Sequence, residues 1–341
     1  MSTKVAINGL GRIGRALLKL LVDEPRLELV AVNDLVDAEN LAYLLRFDTV
    51  YGRYPKPVAA DGGQLSVAGR KLRTLSRRDP AELPWQELGI DVVFECTGAL
   101  KKREDLEKHI RAGARFVLLS APSQGTEVAT VVHGANVPRG APRIVSCASC
   151  TTNCITPIVE IIGRRIGFKK AVMTTVHAYT SSQSIVDGAS KHFRRGRAGA
   201  ANLVPATTGA ALATARALPE YAGLFDGVAI RAPIPVGSIA DLTFLTSRAT
   251  SVDEVNHIFT EEAATPRYAD VLGVSLDPLV SSDIVADPRA SIIDLELTKV
   301  IDGDLLKVMS WYDNEWGYAN QMVREAVSMI AGQNFDARSE R

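Results

Sequence analysis

The 341-residue sequence predicts an α/β fold, with a doubly wound parallel sheet first and an α+β unit on a mixed or antiparallel sheet second. Three observations predict it. Through the first half, short apolar runs alternate with amphipathic segments, the pattern of strands and crossover helices in a parallel sheet. From Lys170 onward the strand-like runs lengthen and lie many residues apart. The chain is also about twice the length of a typical domain, so two domains are expected.

Taken in order, Val5 to Asn8 reads as a buried strand and Arg12 to Val22 as the helix after it. Leu29 to Asn33 is a second strand. Asp91 to Glu95 and Phe116 to Ser120 are later strands, separated by a helix from about Lys101 to Ala112 whose charge run reads as a solvated face. In the second half, Ala171 to Val176, Gly227 to Ala232 and Ile239 to Thr246 read as longer strands. Ile292 to Val300 and Leu305 to Trp311 are expected to form an antiparallel hairpin around Asp302-Gly303. Thr180 to Asn202 is polar, rich in glycine and arginine and without periodicity; loops of that length inside a compact domain are usually functional. Gly332 to Arg341 reads as a frayed tail.

Composition excludes several function classes. An apolar share of 46% and a charged share of 23% fit a globular protein, and the net formal charge is zero. A basic field for nucleic acid is therefore missing. No run approaches the ~18 apolar residues of a membrane span. The amino terminus enters a strand without a signal-peptide pattern. Of the four cysteines, Cys147, Cys150 and Cys154 sit close together and Cys96 stands apart, which is no disulfide framework. A reducing, cytoplasmic setting is expected, and no metal site.

Gly9-Leu10-Gly11-Arg12-Ile13-Gly14 is a G-x-G-x-x-G between a strand and a helix. Its glycines permit a tight turn, close backbone approach to a pyrophosphate, and close packing of helix on sheet. The helix amides then face the phosphates. Alone the motif also fits a turn with no ligand. Asp34 stands 20 positions after Gly14, at a strand end, where a carboxylate accepts ribose hydroxyls and repels a 2′-phosphate. The plainer alternative is an aspartate capping a turn. NAD ranks ahead of NADP, and the first unit reads as Rossmann-type.

Ser146 to Cys154 is the segment richest in chemistry. Ser149 is a good N-cap, and a helix follows from about Thr151. A thiol at that mouth feels the helix dipole and free amides, which favour a thiolate and can hold a developing oxyanion. Pro157 predicts a kink or an irregular first turn. On residues alone Cys147, Cys150 and Cys154 all remain candidates, against the reading that all three are small buried hydrophobes. His177, ending the strand Ala171 to Val176, is the best placed of the five histidines to act as base, although strand-end histidines are often structural.

Ala148 to Cys154, His177-Ala178-Tyr179-Thr180 and Ser310 to Tyr318 resemble the hallmark segments of glyceraldehyde-3-phosphate dehydrogenases. Ala6 to Arg15 and Thr207-Thr208-Gly209-Ala210 match as well, and the likeness runs from about Lys4 to Ile330. The resemblance implies that Cys150 is the nucleophile and His177 its base. The substrates implied are glyceraldehyde 3-phosphate, NAD and inorganic phosphate, which cleaves a thioester to an acyl phosphate. Thr180 and Arg231 are then expected to hold the substrate phosphate, and Ser149, Thr151, Arg195, Thr208 and Gly209 the attacking phosphate. Without the family, Arg194 to Arg197 reads either as a solvated basic loop or as an anion site. Arg12, Ile13, Asp34, Arg78, Thr97, Ser120 and Asn314 match cofactor-contacting positions, with Asn314 at the nicotinamide amide. Thr180 to Asn202 resembles the S-shaped loop that lines a neighbouring subunit's cofactor site, so a homotetramer is implied.

The expected domains are 1–149, completed by a C-terminal helix at about 314–335, and a catalytic domain at 150–313. Three departures from the family pattern stand out. Ser182 replaces a frequent aspartate, Cys147 replaces the usual asparagine and adds a thiol expected to raise oxidant sensitivity, and Gly188-Ala189 are small, as in members that also accept NADP. A dual NAD/NADP variant is the first alternative. Erythrose-4-phosphate dehydrogenase follows, disfavoured by Thr207-Thr208-Gly209, and then a non-catalytic nucleotide-binding scaffold.

Overall fold

The computed structural model describes residues 2–138 and 140–339, in two compact units. The first comprises the chain up to Val131, Pro138–Ala148 and the chain from Met322 on; the second comprises Val132–Val137 and Ser149–Gln321. The last helix, Trp316–Ser339, thus contributes to the first unit from Met322 rather than from 314. Its backbone also runs through most of the stretch expected as a tail, whose last two positions lie outside the described residues.

The first unit is built on a nine-stranded sheet. Thr3–Asn8 lies at its centre, paired in parallel with Leu27–Asn33 on one side and Val92–Glu95 on the other. Phe116–Leu119, Ile144–Ser146 and Ala129–Thr130 continue the parallel order beyond Val92–Glu95. The central strands are apolar through their middle, Val5–Ile7, Leu29–Val32 and Val92–Phe94, as in a parallel sheet covered by helices. Ala6 pairs with Ala31 and Val93, and these residues share a core cluster with the wholly buried Trp85. The helix Arg12–Leu21 buries Ala16, Leu17, Leu18 and Leu21 on one stripe. The expected charged helix is present as Arg103–Arg111. On the far edge, beyond Arg70–Leu75, Gln64–Val67 and Val58–Asp61 add an antiparallel meander that the sequence reading left unassigned.

The second unit carries an eight-stranded mixed sheet. Phe168–Ala178 pairs in parallel with Phe225–Ala232 and antiparallel with Ser238–Thr246, which in turn pairs antiparallel with Leu305–Tyr312. Ser238–Thr246 alternates strictly between buried and half-buried positions, the mark of a sheet with one face on the core. The helix Cys150–Arg165 covers that face.

Two expectations need correction. Ile292 to Val300 is not one strand: Ser291–Asp294 and Lys299–Ile301 are separated by a 3-10 turn at Leu295–Leu297, and both pair with Leu305–Tyr312. The turn at Asp302-Gly303 is as expected, both residues taking positive φ of 51° and 77°. In addition, the strand expected to end at Val176 runs to Ala178, so His177 lies inside the ladder, paired with Arg231. Pro157 sits within Cys150–Arg165, which remains a single helix.

Candidate active site

In the first unit the glycine turn has a distinct reason for each glycine. A Cβ on Gly9, at φ 96°, would lie 2.7 Å from the amide nitrogen of Thr97. A Cβ on Gly14 would lie 1.9 Å from the Gly9 carbonyl oxygen, so helix and turn touch backbone to backbone. Gly11 is different: nothing lies within 4 Å of its Cβ position, and it borders a cavity of about 470 Å³. A side chain there would project into open space, where a pyrophosphate needs bare backbone.

Asp34 also borders this cavity. Its Oδ2 accepts from the Leu10 amide at 2.6 Å and its Oδ1 from the Val36 amide at 3.0 Å. The carboxylate thereby fixes the glycine turn and keeps one further acceptor direction on each oxygen for ribose hydroxyls. Arg78 and Thr97 line the same space. Arg12 turns to Asp48 in an ion pair, and Ile13 is half-buried on the helix. Ser120 is half-buried after the strand Phe116–Leu119, its amide bonded to the Glu95 carbonyl. Bare glycines at the turn and a free-facing carboxylate beside it fit a dinucleotide.

In the second unit, Ser149 caps the helix Cys150–Arg165 as expected, its Oγ accepting from the Thr152 amide at 3.1 Å. Just before it Ala148 takes a positive φ of 56°, a local strain of order 1–3 kcal/mol for a non-glycine residue. The cap leaves the amides of Cys150 and Thr151 without helical acceptors, and both favour charge on the Cys150 sulphur against the penalty of burial.

Among the described residues, the three clustered thiols then separate. Cys154 and Cys147 are buried, whereas Cys150 is half-buried with its Sγ 3.3 Å from Nε2 of His177. Burial pushes the Cys150 thiol up, opposed first by the Arg231 guanidinium and then by the Thr151 amide. The His177 ring is pushed down to about 3 by burial and by the Arg231 charge beside it. Burial thus disfavours charge on both the thiol and the ring. Nδ1 of His177 lies 2.7 Å from the Ala178 carbonyl oxygen, an acceptor, and 2.7 Å from Nη1 of Arg231, a donor. Arg231 donates to the same carbonyl at 3.0 Å, and its own Nε is buried with no partner among the described residues.

A residue given no role on sequence grounds ties this pair together. The Tyr312 hydroxyl lies 2.9 Å from Oγ1 of Thr151 on the helix and 2.8 Å from Oγ1 of Thr175 on the strand. Its ring meets His177 edge-on at 6.0 Å. Thr151 thus meets Tyr312 through its hydroxyl, and both its backbone and its side chain also favour charge on the Cys150 sulphur. The one signal that marks Tyr312 in the sequence is its place inside Ser310 to Tyr318.

The anion-binding candidates form partial groups. Arg195 donates to Ser182 Oγ at 2.8 Å, and Ser182 meets Thr180 Oγ1 at 2.9 Å. The Ser182 departure therefore leaves Arg195 without a neighbouring carboxylate at that contact. Thr208 accepts from the Ala210 amide, and Gly209 is the exposed N-cap of Ala210–Ala217. Asn314 is buried, its Oδ1 accepting from the Gly237 amide and the Ser238 hydroxyl, which leaves its amide nitrogen as donor. Cys147 is 3% exposed and burial pushes its thiol well up. Since the thiolate is the oxidisable form, this runs against the expected added oxidant sensitivity.

Thr180 to Asn202 is a loop, as expected, closed on itself by backbone bonds between Gly188 and Gly196 and between Ser184 and Arg195, and by an Asp187–Arg197 ion pair.

The sequence matches two family models: glyceraldehyde 3-phosphate dehydrogenase, NAD binding domain, over residues 3–103, and glyceraldehyde 3-phosphate dehydrogenase, C-terminal domain, over residues 149–314. It is 44% identical over 327 residues to glyceraldehyde-3-phosphate dehydrogenase 2 of Streptomyces avermitilis, covering 95% of this chain and 97% of that one. The glyceraldehyde-3-phosphate dehydrogenase of Zymomonas mobilis is 43% identical over 333 residues, 96% of this chain and 99% of its own. That of Mycobacterium tuberculosis is 46% identical over 339 residues, 97% and 99% of the two chains.

Proposed function

The chain belongs to the glyceraldehyde-3-phosphate dehydrogenase family, and on that premise we propose that Cys150 and His177 carry out an NAD-dependent oxidative phosphorylation of D-glyceraldehyde 3-phosphate. The observation that carries this assignment is the 3.3 Å approach of the Cys150 sulphur to His177 Nε2 at the open end of a capped helix.

The Cys150 sulphur adds to the aldehyde carbon, and its proton passes to His177 as the hemithioacetal forms. Amides at the helix start face the oxygen on which charge develops. His177 returns that proton to the oxyanion and takes it up again as the carbon loses hydride and becomes a thioester. Bound NAD supplies the hydride acceptor. Inorganic phosphate attacks the thioester, and Cys150 leaves as 1,3-bisphosphoglycerate is released. Burial and the Arg231 charge beside Nδ1 keep the resting ring unprotonated. Thr180 and Arg231 are assigned to the substrate phosphate. Ser149, Thr151, Arg195, Thr208 and Gly209 are assigned to the attacking phosphate. Guanidinium forks suit such oxyanions.

A homotetramer is part of this reading. Ile185, Val186 and Phe193 on the long loop are 88%, 73% and 89% exposed in the single chain, which supports cover by a neighbouring subunit. The reading also places the protein in the cytoplasm, where its four free cysteines stay reduced. Among the described residues no helix is long and apolar enough to cross a membrane.

The test is an assay of purified protein with glyceraldehyde 3-phosphate and NAD or NADP, each with and without phosphate. Phosphate-dependent reduction of NAD well ahead of NADP supports the reading. Equal use of both cofactors points to the dual-cofactor variant, and turnover indifferent to phosphate overturns the acyl-phosphate step. Light scattering on the same sample tests the tetramer.

A further inference from the structure

Behind the cofactor cavity lies a buried polar chain that no step above uses. Glu95, at the end of the strand Val92–Glu95, is wholly buried, and four donors meet its carboxylate. Oε2 accepts from Asn8 Nδ2 at 2.6 Å and faces His109 Nε2 at 3.1 Å. Oε1 accepts from the Thr97 amide at 2.8 Å and from the Thr97 hydroxyl. His109 is also wholly buried, and its Nδ1 lies 3.0 Å from Trp85 Nε1, which can only donate. Nδ1 is therefore bare and Nε2 carries the proton that reaches Glu95. From Asn8 the chain continues, since Asn33 Nδ2 donates to Asn8 Oδ1 at 2.7 Å and Asn33 Oδ1 accepts from the Arg77 amide at 2.8 Å.

Asn8, Asn33, Arg77 and Thr97 all line the cavity, and all four hang on one carboxylate. Gly9 leaves no slack, since its Cβ position is 2.7 Å from the Thr97 amide. We propose that Glu95, oriented by His109, is a positioning residue for the dinucleotide: it fixes the Thr97 backbone and hydroxyl and the Asn8 amide in the arrangement that NAD meets. Four hydrogen bonds satisfy the carboxylate, so what it stabilises is a geometry of the cavity wall.

Calorimetric titration of the full-length protein with NAD tests this. Glu95→Gln turns a donor toward donors and His109→Leu removes one donor; each should raise the NAD dissociation constant about tenfold, the scale of one charge-assisted hydrogen bond. Thioester formation at saturating NAD should change by less than about twofold, since uniform binding is what is lost. His109→Gln, whose amide can place an N–H where Nε2 stood, should restore affinity to within about threefold. Affinity unchanged in both loss variants, or His109→Gln no better than His109→Leu, overturns the proposal. Nitrogen NMR of the unaltered protein decides the case even where a variant fails to fold. A bare Nδ1 and protonated Nε2 on His109, with both resonances moving on NAD addition, support it; the opposite tautomer, or no movement, contradicts it.

Discussion

The hydroxyl of Tyr312 sits 2.9 Å from Oγ1 of Thr151, the residue that follows the candidate nucleophile. Because the same hydroxyl reaches Thr175, two positions before His177, one phenol spans the helix that carries the sulphur and the strand that carries the base. Removing it in Tyr312→Phe leaves two buried threonine hydroxyls short of a partner, a loss of about 1–3 kcal/mol. Chemical denaturation should show that loss, and single-turnover kinetics should show slower acylation with NAD affinity unchanged. An unaltered acylation rate would remove Tyr312 from the site.

His177→Asn should slow acylation by roughly 10²–10⁴-fold, the usual range for a lost general base, while NAD still binds. Rapid-mixing kinetics would read this directly, and a rate equal to that of the parent would end the assignment.

The same residue makes stability depend on pH. The ring is pushed down to about 3 by burial, well below a free histidine, so the folded state stays neutral where the unfolded chain takes up a proton. Stability from this source is fully present above the unfolded pKa and is lost as pH falls toward 3, at about 1.4 kcal/mol per unit below about 6.5. Denaturation midpoints measured between pH 7 and 4.5 should therefore fall less steeply in His177→Asn than in the parent.

At the glycine turn, Gly11→Ala and Gly14→Ala should fail in different ways. The first places its methyl in open space, so stability should hold within about 0.5 kcal/mol while NAD affinity drops. The second forces its methyl against the Gly9 carbonyl and should lower the melting temperature outright. Calorimetry with and without NAD separates the two, and equal melting temperatures would refute the distinction.

Alkylation of the folded protein should label Cys150 and spare Cys147 and Cys154, which are buried with their thiols pushed up by desolvation. Labelling of Cys150 should quicken as pH rises, since its thiol too is held above its ordinary range. Peptide mapping that found Cys147 modified first would contradict this order.

Much of this site was legible in the sequence because its signals are local. The glycines of Gly9 to Gly14 and the strand-end Asp34 act at fixed spacing, and Ser149 marks a helix mouth beside three candidate thiols, of which the family resemblance singled out Cys150. What escaped depends on contacts distant along the chain. Tyr312 meets Thr151 from 161 positions away, and Glu95 reaches Asn8 across 87. Glu95 closes an apolar strand, and only the fold shows it wholly buried. The 3-10 turn at Leu295–Leu297 was hidden for a related reason: its apolar residues satisfy a strand pattern, and three residues of turn leave no breaker to see.

The most direct test is to mix enzyme, NAD and glyceraldehyde 3-phosphate without inorganic phosphate, quench, and map the adduct by mass spectrometry. One phosphoglyceroyl group is expected on Cys150, formed with a burst of reduced cofactor and discharged when phosphate is added. An adduct on Cys147 or Cys154, or a burst with no acylated cysteine, would contradict it.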